Sequence, residues 1–442
     1  MAAILETAQA EATLSMKRIA SLGLQHVLVM YAGTVTVPLI LASVMKLNGS
    51  ETITLINACL LTSGLATMLQ AIGVGRFGSR LPLIQGCSFI VLAPMVMIGQ
   101  QYGMATIFGS AIACGLFTVV VAPFFSRLVR FFPSIVIGCV ITLIGISLMP
   151  AAAIWLGGGN PDAADFAKPE NLLLGFGTLL ITLIFYAMTR GVLRNFSILI
   201  GLLAGTLIGY ACGLTSFAAV GQASWFGFSL PFAFGIPQFH ITPVLVLCLS
   251  MLIVMTETTG NVLLLDKIIG QPTTSRRVAD AIRADGLSTM VGGCLNSFPY
   301  NAFSQNAGLV MMTKVTRRSV LVAAGVILVL LGLFPKLGAI ISAIPSPVLG
   351  GVAILMFGMT IAAGIQELRN TDFQDEKNVL IVSVSIAVGV LPMAFPAIFR
   401  FIPPSLKLLL DSGIFLGGFT AVILNAVLNR PSLKQEQMHD QS

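Results

Sequence analysis

Fourteen apolar stretches, set apart by short polar breaks, run the length of the chain at about 19–45, 52–73, 83–99, 104–125, 132–155, 171–189, 195–214, 242–262, 276–296, 300–314, 316–335, 341–365, 377–396 and 402–428. A helix rising ~1.5 Å per residue needs about twenty apolar residues to cross a bilayer core, and most of these stretches have that length. No soluble domain buries so many such runs. Only 9% of the 442 residues are charged, against roughly a quarter in soluble domains. The predicted fold class is therefore an all-α polytopic membrane protein with fourteen transmembrane segments.

The basic residues say how such a chain lies in the bilayer. With the N-terminus in the cytoplasm, every Lys and Arg falls on that side except Lys46, Lys168, Lys336, Arg400 and Lys407, although Arg283 sits within the ninth stretch. That is the positive-inside bias, and an even number of spans puts both termini in the cytoplasm, for a bacterial chain at the inner membrane. The net charge of +7 is thus loop charge, scattered in twos and threes, and predicts no nucleic-acid partner. All seven cysteines (Cys59, Cys87, Cys114, Cys139, Cys212, Cys248, Cys294) lie within or at the edge of apolar stretches, which predicts no disulfide, metal or other cofactor. The alanine-rich start, with Glu6 and Glu11, lacks the basic-then-apolar pattern of a cleaved signal peptide.

An internal repeat is visible by eye. Pro123 is followed ten residues later by P-S-x-V-x-G-x-V (Pro133, Ser134, Val136, Gly138, Val140), and Pro335 by the same pattern at Pro345, Ser346, Val348, Gly350 and Val352. The copies fall in the fifth and twelfth stretches, which enter the membrane from opposite sides. This predicts an inverted repeat of seven spans plus seven. Laying the halves over each other sets Pro82 against Pro299 and Ser88 against Gln305, so the third stretch partners the tenth. Pro299 and Gly308 argue for an interrupted helix there, and two interrupted segments in matching places point to a binding site.

Polar residues inside the stretches carry the chemistry. Glu257 is the sole charged side chain between Leu245 and Leu265, and inserting it ionised would cost about 3 kcal/mol. Either it is a protonated or helix-paired structural acid, or its carboxylate faces a polar cavity and accepts from ligand N–H groups. Gln305 and Asn306 can cross-link helices or bind the edge of a planar, hydrogen-bonding solute. Phe89, beside Ser88 and opposite Gln305 in the repeat, can face lipid or stack on a heterocycle. His26 is a structural donor or handles substrate and protons. Asp285 stands beside Arg283, with which a local ion pair is the plain account. Nothing in the chain has metal-ligand spacing or pairs a nucleophile with a base, so no enzyme is expected.

Gln305, Asn306, Ala307, Gly308, Thr313 and Lys314 fill the pattern Q/E/P-N-x-G-x-x-x-x-T-R/K/G, which resembles the signature of the nucleobase-ascorbate transporter (nucleobase cation symporter) family. G-L-Q-H-V-L-V-M-Y-A-G at Gly23 to Gly33, Ser88-Phe89, and E-T-T-G at Glu257 to Gly260 follow in the family's order, closest to bacterial xanthine and uric acid permeases. The resemblance implies purine import by proton symport with alternating access. Glu257 and Gln305 would hold the base, with Phe89, Ser88, Asn306 and His26 around it, while Glu257, Asp285 and His26 are the proton-coupling candidates. Relatives often carry an ionisable group where this chain has Asn261. The resemblance further implies a core domain (19–130 and 242–338) and a gate domain (131–215 and 339–429) flanking the site, an extracytoplasmic linker at 216–241, cytoplasmic tails at 1–18 and 430–442, and a homodimer through the gate in the lipid membrane. An inorganic or organic anion carrier of the same inverted-repeat fold is the alternative, and it would want a basic residue or bare helix N-termini at the site instead of Glu257.

Overall fold

The apolar runs fold as helices. The computed structural model describes residues 15–125, 133–313, 315–403 and 410–429; among the side chains it leaves undescribed are those of Ser304, Gln305, Ala307 and Gly308. Lys314, Arg127, Arg130, Lys407 and both chain ends beyond those limits therefore lie outside the described residues. In order come α1 (Met16–Val44), α2 (Gly49–Ile72), β1 (Gln85–Cys87), α3 (Leu92–Tyr102), α4 (Met104–Val121), α5 (Ser134–Leu156), α6 (Pro169–Met188) and α7 (Ser197–Ala211). The second half holds α8 (Ile241–Ile269), α9 (Ser275–Cys294), β2 (Tyr300–Ala302), α10 (Ser304–Thr313), α11 (Arg318–Gly332), α12 (Pro335–Ser342), α13 (Ser346–Leu368), α14 (Glu376–Ala394) and α15 (Gly413–Leu428).

Local chemistry sets the ends of these helices. Asn48 and Glu51 cap α2 reciprocally, each side chain taking the other's backbone amide at 2.9 Å. Thr274 caps α9, and α8 ends at Gly270 in the left-handed conformation at φ 74°. Pro335 denies α11 the amide it would need to continue, and α12 leaves at an angle of 79°. Both copies of the P-S-x-V repeat begin a helix at their serine, and each helix runs 23 residues.

Among the described residues, eight helices are long and apolar enough to cross a membrane, or nine if α11 and α12 form one bent span. The other expected spans fall short of that test for visible reasons. The third and tenth are each divided into a strand and a helix, α7 and α15 are short, and α9 carries too many polar residues.

The chain forms two compact units, one of Met1–Phe125 with Pro150–Leu355, the other of Ser126–Met149 with Met356–Ser442. Within the first, α2 packs along α11 and α4 along α9. Both pairs close on glycine. A Cβ on Gly64 would lie 2.5 Å from the Gly325 carbonyl oxygen, and one on Gly115 would lie 2.7 Å from that of Gly286. Backbones approach this closely only where small residues meet, which is how helices gain packing energy in a lipid solvent. Within the second unit α14 packs on α15, with Gly389 against Gly413.

Candidate functional site

Where an unbroken helix would bridge the third and tenth spans, two short strands meet instead. β1 and β2 pair antiparallel in the register Gln85↔Ala302, Gly86↔Asn301, Cys87↔Tyr300. The ladder is extended at both ends, Ser88 N donating to the Pro299 carbonyl at 2.9 Å and Phe303 N to that of Ile84 at 3.1 Å. Every backbone polar group inside a membrane protein needs a partner, and pairing the two breaks with each other supplies it. The interruption read from Pro299 is thus a strand-to-helix transition, matched by one at Ser88, whereas Gly308 lies inside α10 and does not break it.

Side chains of the flanking helices hold this pair in place. Thr67 Oγ1 on α2 accepts the Gln85 amide at 3.0 Å, and Thr289 Oγ1 on α9 accepts that of Tyr300 at 3.1 Å. On α8, Asn261 Nδ2 donates to the Ala302 carbonyl at 2.9 Å. One helical turn earlier, half-buried Glu257 takes a hydrogen bond at Oε2 from Asn301 Nδ2 at 2.6 Å. Positions i and i+4 share a helix face, so a single face of α8 grips β2 twice. Asn261 serves here as a latch on the strand.

The remaining predicted binding residues stand on α1, on the turn after β1 and on α10. Asn306, near the start of α10, spends both amide protons on His26: Nδ2 is 3.0 Å from the carbonyl oxygen and 3.0 Å from ring Nδ1. An amide NH₂ only donates, so Nδ1 is the acceptor and α1 is tied to α10. Ser88 is buried, and Phe89 Cε2 lies 3.6 Å from where a Cβ on Gly33 would stand. Phe303 packs on Gly33 and Gly86, so an aromatic pair lines this corner. Gln305 lies in α10 beside Asn306, and its side chain is outside the described residues.

Asp285 is not paired with Arg283. Two residues apart on a helix, they point to different sides, and Arg283 pairs instead with Asp280, three residues away. Asp285 is buried in a neutral network: Thr258 Oγ1 donates to Oδ2 at 2.6 Å and Gln70 Nε2 to Oδ1 at 3.2 Å. Gln70 is itself fixed by the Ala281 carbonyl at 3.0 Å and the Ser79 amide at 2.8 Å. Thr258 follows Glu257 directly, so the two acids are joined through adjacent residues of α8.

Asn301, Gln70, Thr258 and Phe303 escaped the sequence reading, although Asn301 and Phe303 stand just ahead of the signature. Several buried amides have atoms with no hydrogen-bond partner among the described residues, Asn301 Oδ1 and Asn306 Oδ1 among them. Buried polar atoms rarely stay unpaired unless something else pairs with them.

A multi-pass helical membrane protein whose polar residues stand beside two interrupted spans has the layout of a membrane carrier. Residues 17–398 match the model of the Permease family (Xan_ur_permease), and the chain belongs to that family. It is 42% identical over 409 residues to a xanthine permease of Bacillus subtilis (strain 168), covering 92% of this chain and 93% of that one. It is 40% identical over 412 residues to the uric acid permease PucJ of the same organism, covering 92% of each. In fold it resembles a solved structure of the murine Solute Carrier 26 family member A9 anion transporter in the inward-facing state, with a TM-score of 0.61 at 12% identity, covering 95% of this chain and 70% of that one.

Proposed function

We propose that the chain is a secondary transporter that imports a purine nucleobase, xanthine or uric acid, together with a proton, by alternating access. The observation that carries this reading is the Glu257 carboxylate, half-buried on an apolar helix and turned toward the interrupted span rather than away from it. With one oxygen taken by Asn301, the other can accept from a lactam N–H. Phe89 stacks on the ring, Ser88 and Gln305 meet its other edge, and Asn306 with His26 close the site. Asp285 and Glu257 are the proton carriers, since Asn261 is committed to β2 and an amide does not titrate.

The wider architecture belongs to the same proposal. Fourteen spans form an inverted repeat, with 19–130 and 242–338 as the site-bearing core and 131–215 with 339–429 as a gate through which two copies pair. Both termini face the cytoplasm of a bacterial inner membrane. The linker at 216–241 lies on the opposite side, at the lipid interface. Supporting that last point, Trp225, Phe226, Leu230, Ile236 and Phe239 are all exposed, while Lys336 Nζ sits 4.7 Å above the Trp225 ring.

The test is uptake of radiolabelled xanthine and uric acid by cells that lack their own purine carriers. Saturable uptake competed by purines and abolished by a protonophore is expected. Uptake of sulfate or bicarbonate, with no effect of purines, would instead establish an anion carrier, for which Glu257 carries the wrong charge.

A further inference from the structure

We propose that Asn301 is a positioning and specificity residue of the site: it fixes the Glu257 carboxylate and presents a second acceptor beside it, so the pair selects a planar lactam with two N–H groups on one edge. This rests on the transport reading above and goes beyond it. Asn301 sits at the centre of β2 opposite Gly86, and the absent Gly86 side chain leaves that face to the Phe303 ring, which occupies the place of a Cβ at 2.6 Å. Its Nδ2 faces Glu257 Oε2 at 2.6 Å. A carboxylate only accepts hydrogen bonds, so the NH₂ end must point at Glu257 and the carbonyl end away from it.

Two consequences follow. With Oε2 engaged, the carboxylate cannot spin freely, and Oε1 is held in one direction. Asn301 Oδ1, in a side chain that is 97% shielded by its 3% residue exposure, has no partner among the described residues. An acceptor buried without a donor costs free energy that a ligand N–H can recover. Glu257 Oε1 and Asn301 Oδ1 are thus the two acceptors that the Asn301–Glu257 hydrogen bond leaves over. Their complement is a heterocycle carrying two N–H groups on the same side, as oxidised purines do. An aromatic ring nitrogen in either place would set lone pair against lone pair.

The experiment measures dissociation constants of purified full-length protein for xanthine, uric acid and singly N-methylated xanthines, in wild type, Asn301→Ala, Glu257→Gln and the double variant. A hydrogen bond to a charged group contributes such that Asn301→Ala should weaken xanthine binding about tenfold to a hundredfold. The losses of the two single variants should not add in the double variant, because Asn301 acts largely through Glu257. One N-methyl group should be penalised by wild type and tolerated better by Asn301→Ala, a change that mere loosening of the strand would not produce. Should Asn301→Ala fail to fold, Asn301→Thr, which suits a strand and keeps a hydroxyl, takes its place with a smaller loss. Native affinity and native methyl selectivity in Asn301→Ala and Asn301→Thr, or fully additive losses, would overturn the proposal while leaving the transport reading intact. Failure of wild type to bind any purine would overturn the transport reading itself.

Discussion

Asn301 Nδ2 lies 2.6 Å from Glu257 Oε2, so the acid at the middle of α8 is joined to β2, the strand just ahead of α10. A charge in a membrane span needs a partner, and here the partner is an amide on backbone that is itself non-helical. The break frees backbone groups, which β1 and β2 satisfy mutually, and it also brings side chains of both halves to one place. Strand, acid and aromatic corner are therefore one arrangement.

The Asp285 network predicts a separation of binding from coupling. Both carboxylate oxygens accept hydrogen bonds, from Thr258 and from Gln70, so protonation turns one acceptor into a donor and forces a neighbour to rotate. Asp285→Asn holds that donor permanently. The variant should bind purine with close to native affinity and exchange it in counterflow. Uphill uptake driven by a pH gradient should be lost, and the pH dependence of uptake should flatten. Full accumulation by Asp285→Asn would remove this residue from the proton path.

Close glycine packing predicts a stability effect. A Cβ on Gly64 meets backbone, the Gly325 carbonyl and the Val329 amide, which cannot turn aside. Gly64→Ala should destabilise by about 1–3 kcal/mol through overpacking, read as a lower unfolding midpoint in detergent. Gly177→Ala on α6, where nothing lies within 4 Å, should be neutral or stabilising by up to about 1 kcal/mol.

Trp225 predicts where the linker lies. The chain has two tryptophans, and Trp155 is buried with its indole N–H on Ser43 Oγ at 3.0 Å, whereas Trp225 is 68% exposed. In Trp155→Phe protein reconstituted with brominated lipids, Trp225 emission should be quenched most by bromines near the headgroups. Iodide quenching as strong as for free tryptophan, without lipid quenching, would place the linker in water.

Much of this arrangement is legible in the sequence because membrane spans are so intolerant of polar groups. Glu257 stands out in α8 for that reason, and Pro299 announces the broken helix, whereas Gly308 turns out to lie within α10. Repeat symmetry pairs Ser88 with the same break in the other half. What stays hidden depends on register. Asn301 looks like one more amide until the antiparallel pairing turns it toward Glu257. Thr258 looks ordinary because hydroxyls within helices usually bond back to their own turn, as Thr256 does to Leu252 and Thr259 to Met255. The Arg283–Asp285 pair fails on helical geometry that the spacing already contained: two residues apart is the wrong interval, and Asp280 is at the right one. Span counting by length also has a physical limit, since α9 is polar where it lines the network and α7 and α15 are short.

The central claim is that the Glu257 carboxylate receives a purine. Binding of xanthine and uric acid to purified wild-type protein and to Glu257→Gln, followed by the shift in unfolding temperature with ligand concentration, tests it most directly. Wild type should be stabilised in a saturable manner by one or both purines, and Glu257→Gln, folded and with a near-native unfolding temperature alone, should show no ligand-dependent shift. An equal shift in both proteins would contradict the account.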